Sequence, residues 1–139
     1  MCRKATDPLG AISTATYDSS NFLHLGSAPK VNETDPLGNT TTFTYDAYDR
    51  PVAVTDALRN TATTAYDATG NVLTQADPEG RTITHAYDPL NRRIATSDAL
   101  GNTGRVTYDP IGNALSATDP NGNVIRYEYD ALNRRTAVI

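Results

Sequence analysis

The pair Tyr-Asp returns at a fixed interval along this chain of 139 residues. Its last five copies are 21 residues apart, and the first gap is 28. A second marker, Asp followed by Pro or Ala, has the same spacing. A fixed period of this length indicates a repeat architecture, in which each unit buries its face only against its neighbours. The pairs are Tyr17-Asp18, Tyr45-Asp46, Tyr66-Asp67, Tyr87-Asp88, Tyr108-Asp109 and Tyr129-Asp130, and the second marker begins at Asp7, Asp35, Asp56, Asp77, Asp98 and Asp119.

The composition favours a thin sheet over a large globular core. Leu, Ile, Val and Phe together make up only 25 residues, a low share for a packed domain. The 12 basic and 16 acidic residues leave a net charge of −4, which is small for a disordered chain. Thr and Tyr, with 21 and 8 copies, are strong strand formers. We therefore expect an ordered, Thr-rich sheet.

Charge and hydropathy exclude several classes of function. The mild acidity argues against nucleic-acid binding, which needs a concentrated basic surface. No run approaches the 18 or so apolar residues of a membrane span. Cys2 is the only cysteine, so no internal disulfide can form. The N-terminus enters a repeat at once, without the apolar segment of a signal peptide, and we expect the chain to be a piece of a longer protein.

Each unit carries two turn signals, Y-D-x-x-(G/N/D)-(N/R) and D-(P/A)-x-(G/R)-(N/R). The first Asp of such a turn caps the backbone with its carboxylate, and Gly or Asn takes the position that needs a positive φ. The runs between the signals have the length of strands, and such short connections require antiparallel neighbours. The sequence predicts an all-β fold of repeated β-hairpins in one curled, open antiparallel sheet of about twelve or thirteen strands.

Alternation assigns the two faces of this sheet. The repeat tyrosines and the residues two and four positions before them form the more apolar and aromatic face, which we call the Tyr face; the opposite face is Thr-rich. One slot of the partner strands is apolar in most units, and we place it on the Tyr face. Its members are Val52, Leu73, Ile94 and Leu115.

We interpret residues 1–139 as a single repeat region of six 21-residue units. The first unit has a seven-residue insertion within residues 18–34. Within it, residues 22–25 are typical of a strand and the loop near Ser27 follows. Such an insertion is either a binding loop or one that the fold simply tolerates.

The two recurring motifs closely resemble the YD-repeat, or Rhs-repeat, family. Its members include bacterial Rhs polymorphic toxins, toxin-complex C subunits, wall-associated proteins and teneurins. The resemblance implies a spiralling antiparallel sheet that closes into a hollow shell around a C-terminal toxin domain. It implies that the partners are the rest of a longer YD-repeat chain and its toxin cargo. It also implies that the protein is secreted or lies on the cell surface of a bacterium. Residues 108–120 are similar to the self-cleaving core segment of Rhs toxins but lack its G-R-F element, so we interpret them as an ordinary repeat.

No residue set predicts catalysis, a cofactor site or a metal site. Turn capping explains twelve of the thirteen aspartates, all but Asp49. Residues 119–123 place oxygens as a calcium loop does, with Asp130 at the twelfth position, but Val124 replaces the required Gly. His24 and His85 lie in different units without a neighbouring nucleophile. We expect a non-enzymatic structural module.

An alternative function is cell-surface adhesion, in which the tyrosine row stacks on a sugar. Tyr66, Tyr87 and Tyr108 are the candidate glycan contacts; the competing interpretation is that the row packs the inner face of the shell. A silent genomic remnant is a third interpretation. We also expect self-association of the isolated chain through unpaired strand edges near residues 11–17 and 136–139, and Val138 and Ile139 add no charge to blunt one of these edges. A monodisperse monomer in sedimentation would contradict this.

Overall fold

A computed structural model describes residues 2–17 and 30–139 of the chain. These residues form thirteen strands and no helix. The described part of the chain therefore contains no helix that could span a membrane. The all-β prediction is confirmed. The strands are β1 (Cys2–Thr6), β2 (Ile12–Tyr17), β3 (Lys30–Thr34), β4 (Thr40–Tyr45), β5 (Pro51–Thr55), β6 (Thr61–Tyr66), β7 (Val72–Ala76), β8 (Thr82–Tyr87), β9 (Arg93–Ser97), β10 (Thr103–Tyr108), β11 (Ala114–Thr118), β12 (Val124–Tyr129) and β13 (Arg135–Val138).

Internal contacts divide the chain into two units, Met1–Thr64 and Ala65–Ile139, so that β6 crosses the boundary. In the first unit the strands from β1 to β6 pair in chain order, each antiparallel to the next. In the second unit the strands from β7 to β13 do the same. The predicted antiparallel hairpins are confirmed. The expected strand at residues 22–25 and the loop near Ser27 lie outside the described residues.

The two kinds of hairpin differ at the tyrosine. In the pairings across turns whose first Asp does not follow a repeat tyrosine, which we call Asp-Pro turns, the register runs without a break. In each described pairing that follows a repeat tyrosine, the register shifts beside that tyrosine. Tyr45 opposes Pro51 while Thr44 opposes Ala53, so Val52 is an extra residue. A β-bulge of this kind bends the bulged strand and increases its twist.

No side chain in the described ranges is fully buried, as expected of a single layer. The Tyr face is nevertheless the more covered one: along β4, Phe43 and Tyr45 are half-buried, whereas Thr42 and Thr44 are exposed. The turn tips carry the most exposed apolar side chains, with Leu9 exposed by 93%. The sheet therefore has one more covered face but no core of its own among the described residues.

The expected free edge at residues 11–17 is wrong. Ile12–Tyr17 forms β2, and β2 pairs with β1 from Thr16 opposite Cys2 to Ile12 opposite Thr6. The first edge is therefore β1, because residues 2–6 form a strand to which the sequence interpretation assigned no element. The last strand, β13, pairs only with β12 among the described strands.

The fourth position of every described turn has a positive φ, and four of these positions are not glycine. Asp49, the aspartate that capping did not explain, is one of them, with φ 59°. Asn91 and Asn133 belong to the residue type that tolerates this region best after glycine. Arg59, with φ 69°, has no such tolerance and is held there by the turn around it.

We expect Arg59→Gly to stabilise the chain by about 1 kcal/mol, because it relieves the steric cost of a left-handed backbone. Urea unfolding followed by the β-sheet circular dichroism signal would measure it. The matched control is Arg105→Gly, in the middle of β10, which should destabilise by a similar amount because glycine weakens a strand. If both changes altered the free energy of unfolding equally and in the same direction, the backbone at Arg59 would not be strained.

Candidate functional site

All described turns share one hydrogen-bond pattern. In the turn at Asp67, the N–H of Asp67 donates to the carbonyl of Asn71 at 2.9 Å, and the N–H of Gly70 donates back to the carbonyl of Asp67 at 3.2 Å. This is the pattern of a type I turn followed by a left-handed residue, a common three-residue hairpin loop. The same pair of bonds recurs at Asp7, Asp35, Asp46, Asp56, Asp77, Asp88, Asp98, Asp109, Asp119 and Asp130.

The aspartate carboxylate holds each turn closed. Oδ1 of Asp67 accepts the N–H groups of Thr69 and Asn71, both at 2.9 Å, and Oδ2 accepts Nδ2 of Asn71 at 2.9 Å. Where the fifth turn residue is arginine, its Nε replaces the amide; Arg92 donates to Oδ2 of Asp88 at 2.7 Å. The sequence interpretation missed this last donor, although the recurring Asn or Arg at the end of both motifs was the signal for it.

These bonds lower the pKa of ten of the aspartates that begin a turn, from Asp35 to Asp130. Donation from the Asn71 side chain, the largest cause, lowers the pKa of Asp67 from 3.8 to about 2. The Asn side chain is also the largest cause at Asp35, Asp56, Asp98 and Asp119, and the Arg side chain at Asp46, Asp77 and Asp88. The pKa of Asp130 is lowered first by the backbone N–H of Arg134. At Asp109 burial alone would raise the pKa, but the bonds from Asn113 and its neighbours outweigh it.

The repeat tyrosines tie each bulge to the next strand. The hydroxyl of Tyr108 donates to the carbonyl of Arg93 at 3.2 Å, and Arg93 is the residue that opposes Tyr87 at the preceding bulge. Tyr45 donates in the same way to the carbonyl of Lys30 at 2.9 Å. The regular ladder between β3 and β4 ends at Asn32, so this hydroxyl supplies a donor to a carbonyl beyond the end of that ladder.

In the second unit, side chains also link successive turns that follow a tyrosine. Nδ2 of Asn71 donates to Oδ1 of Asn91 at 2.9 Å, and Nδ2 of Asn113 donates to Oδ1 of Asn133 at 3.4 Å. Nη1 of Arg92 donates to the carbonyl of Asp109 at 2.7 Å. The two asparagines with positive φ therefore supply an acceptor that glycine would lack. This border of the second unit is continuous through its side chains.

Cations lie over the aromatic rings of the Tyr face. In the first unit, Lys30 lies 4.9 Å from the centre of the Phe43 ring. In the second unit, the guanidinium of Arg92 lies 4.7 Å from the centre of the Tyr108 ring and that of Arg135 lies 5.7 Å from Tyr127. Since most acidic residues sit in turns, this face is more basic than the net charge of −4 suggests.

Each unit has a shallow hollow beside its tyrosines. In the first unit, a hollow of about 300 Å³ lies between Arg3, Tyr17 and the ion pair of Lys30 with Glu33. In the second, a hollow of about 510 Å³ is lined by both Tyr127 and Tyr129 and reaches the turn residues Asp130 and Asn133. Leu115 also lines it.

The proposed glycan contacts Tyr66, Tyr87 and Tyr108 do not line the two hollows described above. The hydroxyls of Tyr87 and Tyr108 are both bound to backbone carbonyls, of Val72 and Arg93, and Arg92 covers the Tyr108 ring. Tyr66 ends β6 at the equivalent position. The remaining repeat tyrosines, Tyr17, Tyr45 and Tyr129, also end their strands, and Asp18 lies outside the described residues.

Over residues 2–17 and 30–139, no three His, Cys, Asp or Glu side chains come together as metal ligands. The carboxylate of Asp119, the strongest calcium candidate, accepts the N–H groups of Asn121 and Asn123. Nδ1 of His85 lies 3.1 Å from Oγ1 of Thr96, and burial, followed by the charge of Arg93, lowers its pKa. His24 lies outside the described residues. The side chains that the structure does bring together are turn, bulge and ring contacts.

Comparison with known proteins places these features in one family of repeats. The model of the RHS Repeat family matches residues 31–61, 66–103 and 108–139. No curated protein matches the chain. The crystal structure TcdB2-TccC3-Cdc42 is similar over 91% of this chain and 7% of its own, with TM-score 0.67 and 19% identity. The TcdB2-TccC3 crystal structure matches over 96% and 9%, with TM-score 0.63 and 17% identity.

A mutant Tc holotoxin pore of Photorhabdus luminescens is similar over 91% of this chain and 8% of its own, with TM-score 0.63 and 16% identity. At these identities the likeness concerns the fold. The chain spans less than a tenth of each of these matched chains.

We expect the free energy of unfolding to fall as the pH drops from about 4 towards 2. An aspartate with a lowered pKa in the folded chain contributes stability that is complete above its ordinary 3.8 and is lost as pH falls through the folded value, about 2 for Asp67. Urea midpoints measured at pH 7, 5, 4, 3 and 2 test this. Asp67→Asn should reduce the acid sensitivity; a flat profile would contradict the capping account.

We expect Tyr87→Phe to destabilise the chain by about 1 kcal/mol, because it removes the hydroxyl that satisfies the carbonyl of Val72. Tyr48→Phe is the matched control: this side chain lies at a turn tip, is exposed by 74% and should show no change. Urea unfolding of both variants at pH 7 measures the difference. Equal midpoints for the two variants would show that the tyrosine hydroxyls do not join the strands.

Proposed function

Because the chain belongs to the RHS repeat family, we propose that it is a non-catalytic segment of a β-shell wall that encloses the toxin domain of a secreted, Rhs-type bacterial protein. In this role the chain works by enclosure. Hydrogen-bonded strands form the wall, and turns form both of its borders. The observation that carries the proposal is that the strands in both units hydrogen-bond in sequence order while no described side chain is fully buried.

A sheet with nothing buried is incomplete as a globular domain. Burial of apolar surface is the main favourable term in folding, and here even the side chains of the Tyr face stay partly exposed. A wall segment does not need to bury a core of its own, because further repeats extend its edges and the enclosed cargo covers one face. That the matched structures belong to chains more than ten times longer is consistent with this role.

We propose the rest of a longer repeat chain and an enclosed toxin domain as partners. The Tyr face is the side that we assign to the cargo, since it is the more apolar and the less exposed. In this proposal residues 1–139 are one repeat region of six units, the first of which carries a seven-residue insertion within residues 18–34. Until its edges are paired, the segment should self-associate through β1, whose five residues are all exposed, and through β13.

The wall proposal predicts that the native product containing this segment is much longer than 139 residues and shields a cargo. An antibody against the segment, used on lysate and culture supernatant of the source bacterium, should detect a chain several times larger. Limited proteolysis of that product should leave a co-purifying domain intact until the shell is denatured. A native product of 139 residues that sediments as a monodisperse monomer would overturn the proposal.

A second candidate is an adhesion module that binds sugar, and the hollow lined by Tyr127 and Tyr129 favours it. Paired aromatic rings with amide and carboxylate groups nearby suit stacking and hydrogen bonding of a sugar. A glycan array of the 139-residue chain separates the two functions. Binding that is lost in the triple Tyr66, Tyr87 and Tyr108→Ala variant or in Tyr127→Ala, with the β-type spectrum kept, would establish adhesion. If the folded chain binds no glycan, the wall proposal is the one that stands.

A further inference from the structure

Gly104 is an exception within the repeat. The other described glycines all lie in turns at positive φ, whereas Gly104 lies inside β10. A Cβ at this position would meet only the carbonyl oxygen of Thr118, at the ordinary distance of 3.6 Å. Neither the backbone conformation nor a close contact therefore requires glycine. The equivalent slots of the other units hold Ser13, Thr41, Ala62, Ile83 and Ile125.

A glycine inside a strand lowers stability and often marks the close approach of a ligand or another backbone. On the Tyr face, the missing side chain of Gly104 contributes to a hollow of about 230 Å³. Gly104 opposes Thr96 and Val106 opposes Ala117, so these four residues share one face. Ile94 also lines the hollow, as do Ala95, Arg105 and Thr118, and the lining is mostly apolar. A cavity of about 150 Å³ accepts benzene, so the hollow has room for one large apolar side chain.

A cation without a partner lines the same hollow. Arg93 is exposed, and its guanidinium makes no ion pair or hydrogen bond with the described part of the chain. The preceding arginine behaves differently, because Arg92 pairs with Asp88 and donates to the carbonyl of Asp109. Arg93 is close enough to His85 for its charge, after burial, to lower the pKa of that imidazole. A positive charge beside an apolar recess is complementary to an occupant that carries a carboxylate next to an apolar group.

We propose that the hollow over Gly104 binds a polypeptide segment that inserts one aliphatic or aromatic side chain and places a neighbouring aspartate or glutamate carboxylate on Arg93. The choice of a polypeptide rests on the proposed function, which puts an enclosed chain against the Tyr face. The hollow would then be one point at which the wall holds its cargo. The hydroxyl of Tyr108, bound to the carbonyl of Arg93, positions the backbone of that arginine.

The test is a titration of the 15N-labelled 139-residue chain with the dipeptide N-acetyl-Leu-Glu-amide, followed by NMR. Saturable shifts are expected at the amides of Thr96, Gly104, Val106 and Ala117. N-acetyl-Leu-Gln-amide, which lacks the charge, should bind about threefold to tenfold more weakly, and salt should reduce this difference. The titration uses the isolated chain, so its result is independent of the length of the native product.

Two variants and a control assign the binding to this hollow. Gly104→Ile supplies the side chain that Ile83 and Ile125 supply in other units; it should weaken binding at least about tenfold while raising the urea midpoint of the free chain. Arg93→Gln should make the two dipeptides bind equally. Ala62→Ile makes the same change in an equivalent slot of the first unit and should leave the titration unchanged.

Three results would overturn the proposal: no saturable shift with the acidic dipeptide, equal binding by Gly104→Ile and the unsubstituted chain, or an undiminished preference for the acidic dipeptide in Arg93→Gln. Arg93 is exposed at the start of β9, so its substitution does not threaten the fold. If Gly104→Ile lost its dispersed spectrum, the Arg93→Gln titration would decide alone.

Discussion

The aspartate carboxylate at the start of every described turn is the interaction on which the rest of the sheet depends. A two-stranded hairpin is only marginally stable in water, and here no fully buried side chain adds to it. The carboxylate organises each loop locally, since it accepts two backbone N–H groups and a side-chain donor within five residues. A turn closed in this way loses less conformational entropy on folding, so neighbouring strands can pair without a core beneath them.

The tyrosine hydroxyl extends this local order from one hairpin to the next. A bulge beside each described repeat tyrosine shifts the register, and the next tyrosine along the chain donates to a carbonyl at that bulge, as Tyr45 does to Lys30 and Tyr108 to Arg93. Two strands, one bulge and one hydroxyl thus form the smallest complete unit. The 21-residue period is the length of chain that such a unit needs, with a strand of five or six residues after each of two turns.

The sequence was sufficient for everything that depends on one residue and its near neighbours. The turns, the strands between them and the more apolar face follow from the spacing of Asp, Gly and Tyr and from alternation. The bulges and the partners of the tyrosine hydroxyls were not predicted, because they depend on how two strands are registered across the sheet. The edge expected at residues 11–17 was wrong for the same reason: residues 2–6 gain a strand only by pairing with β2. The hollow at Gly104 required the opposite strands, which place Thr96 and Ala117 beside it.

In a chain of near-copies, the residues that depart from the common pattern are the most informative about function. Asn91 and Asn133 replace glycine at positive φ and each gains a bond to the neighbouring turn, so their departure is explained within the sheet. Arg59 makes the same replacement at a turn of the other kind, where no inter-turn bond offsets its strain. Gly104 is different again, because it gives up a side chain in a strand that would accommodate one. A residue that gives up a side chain and gains no contact within the sheet indicates a contact with something outside the sheet. In the proposed wall, the common pattern explains the sheet itself, so we expect specificity for an enclosed partner to reside in such exceptions.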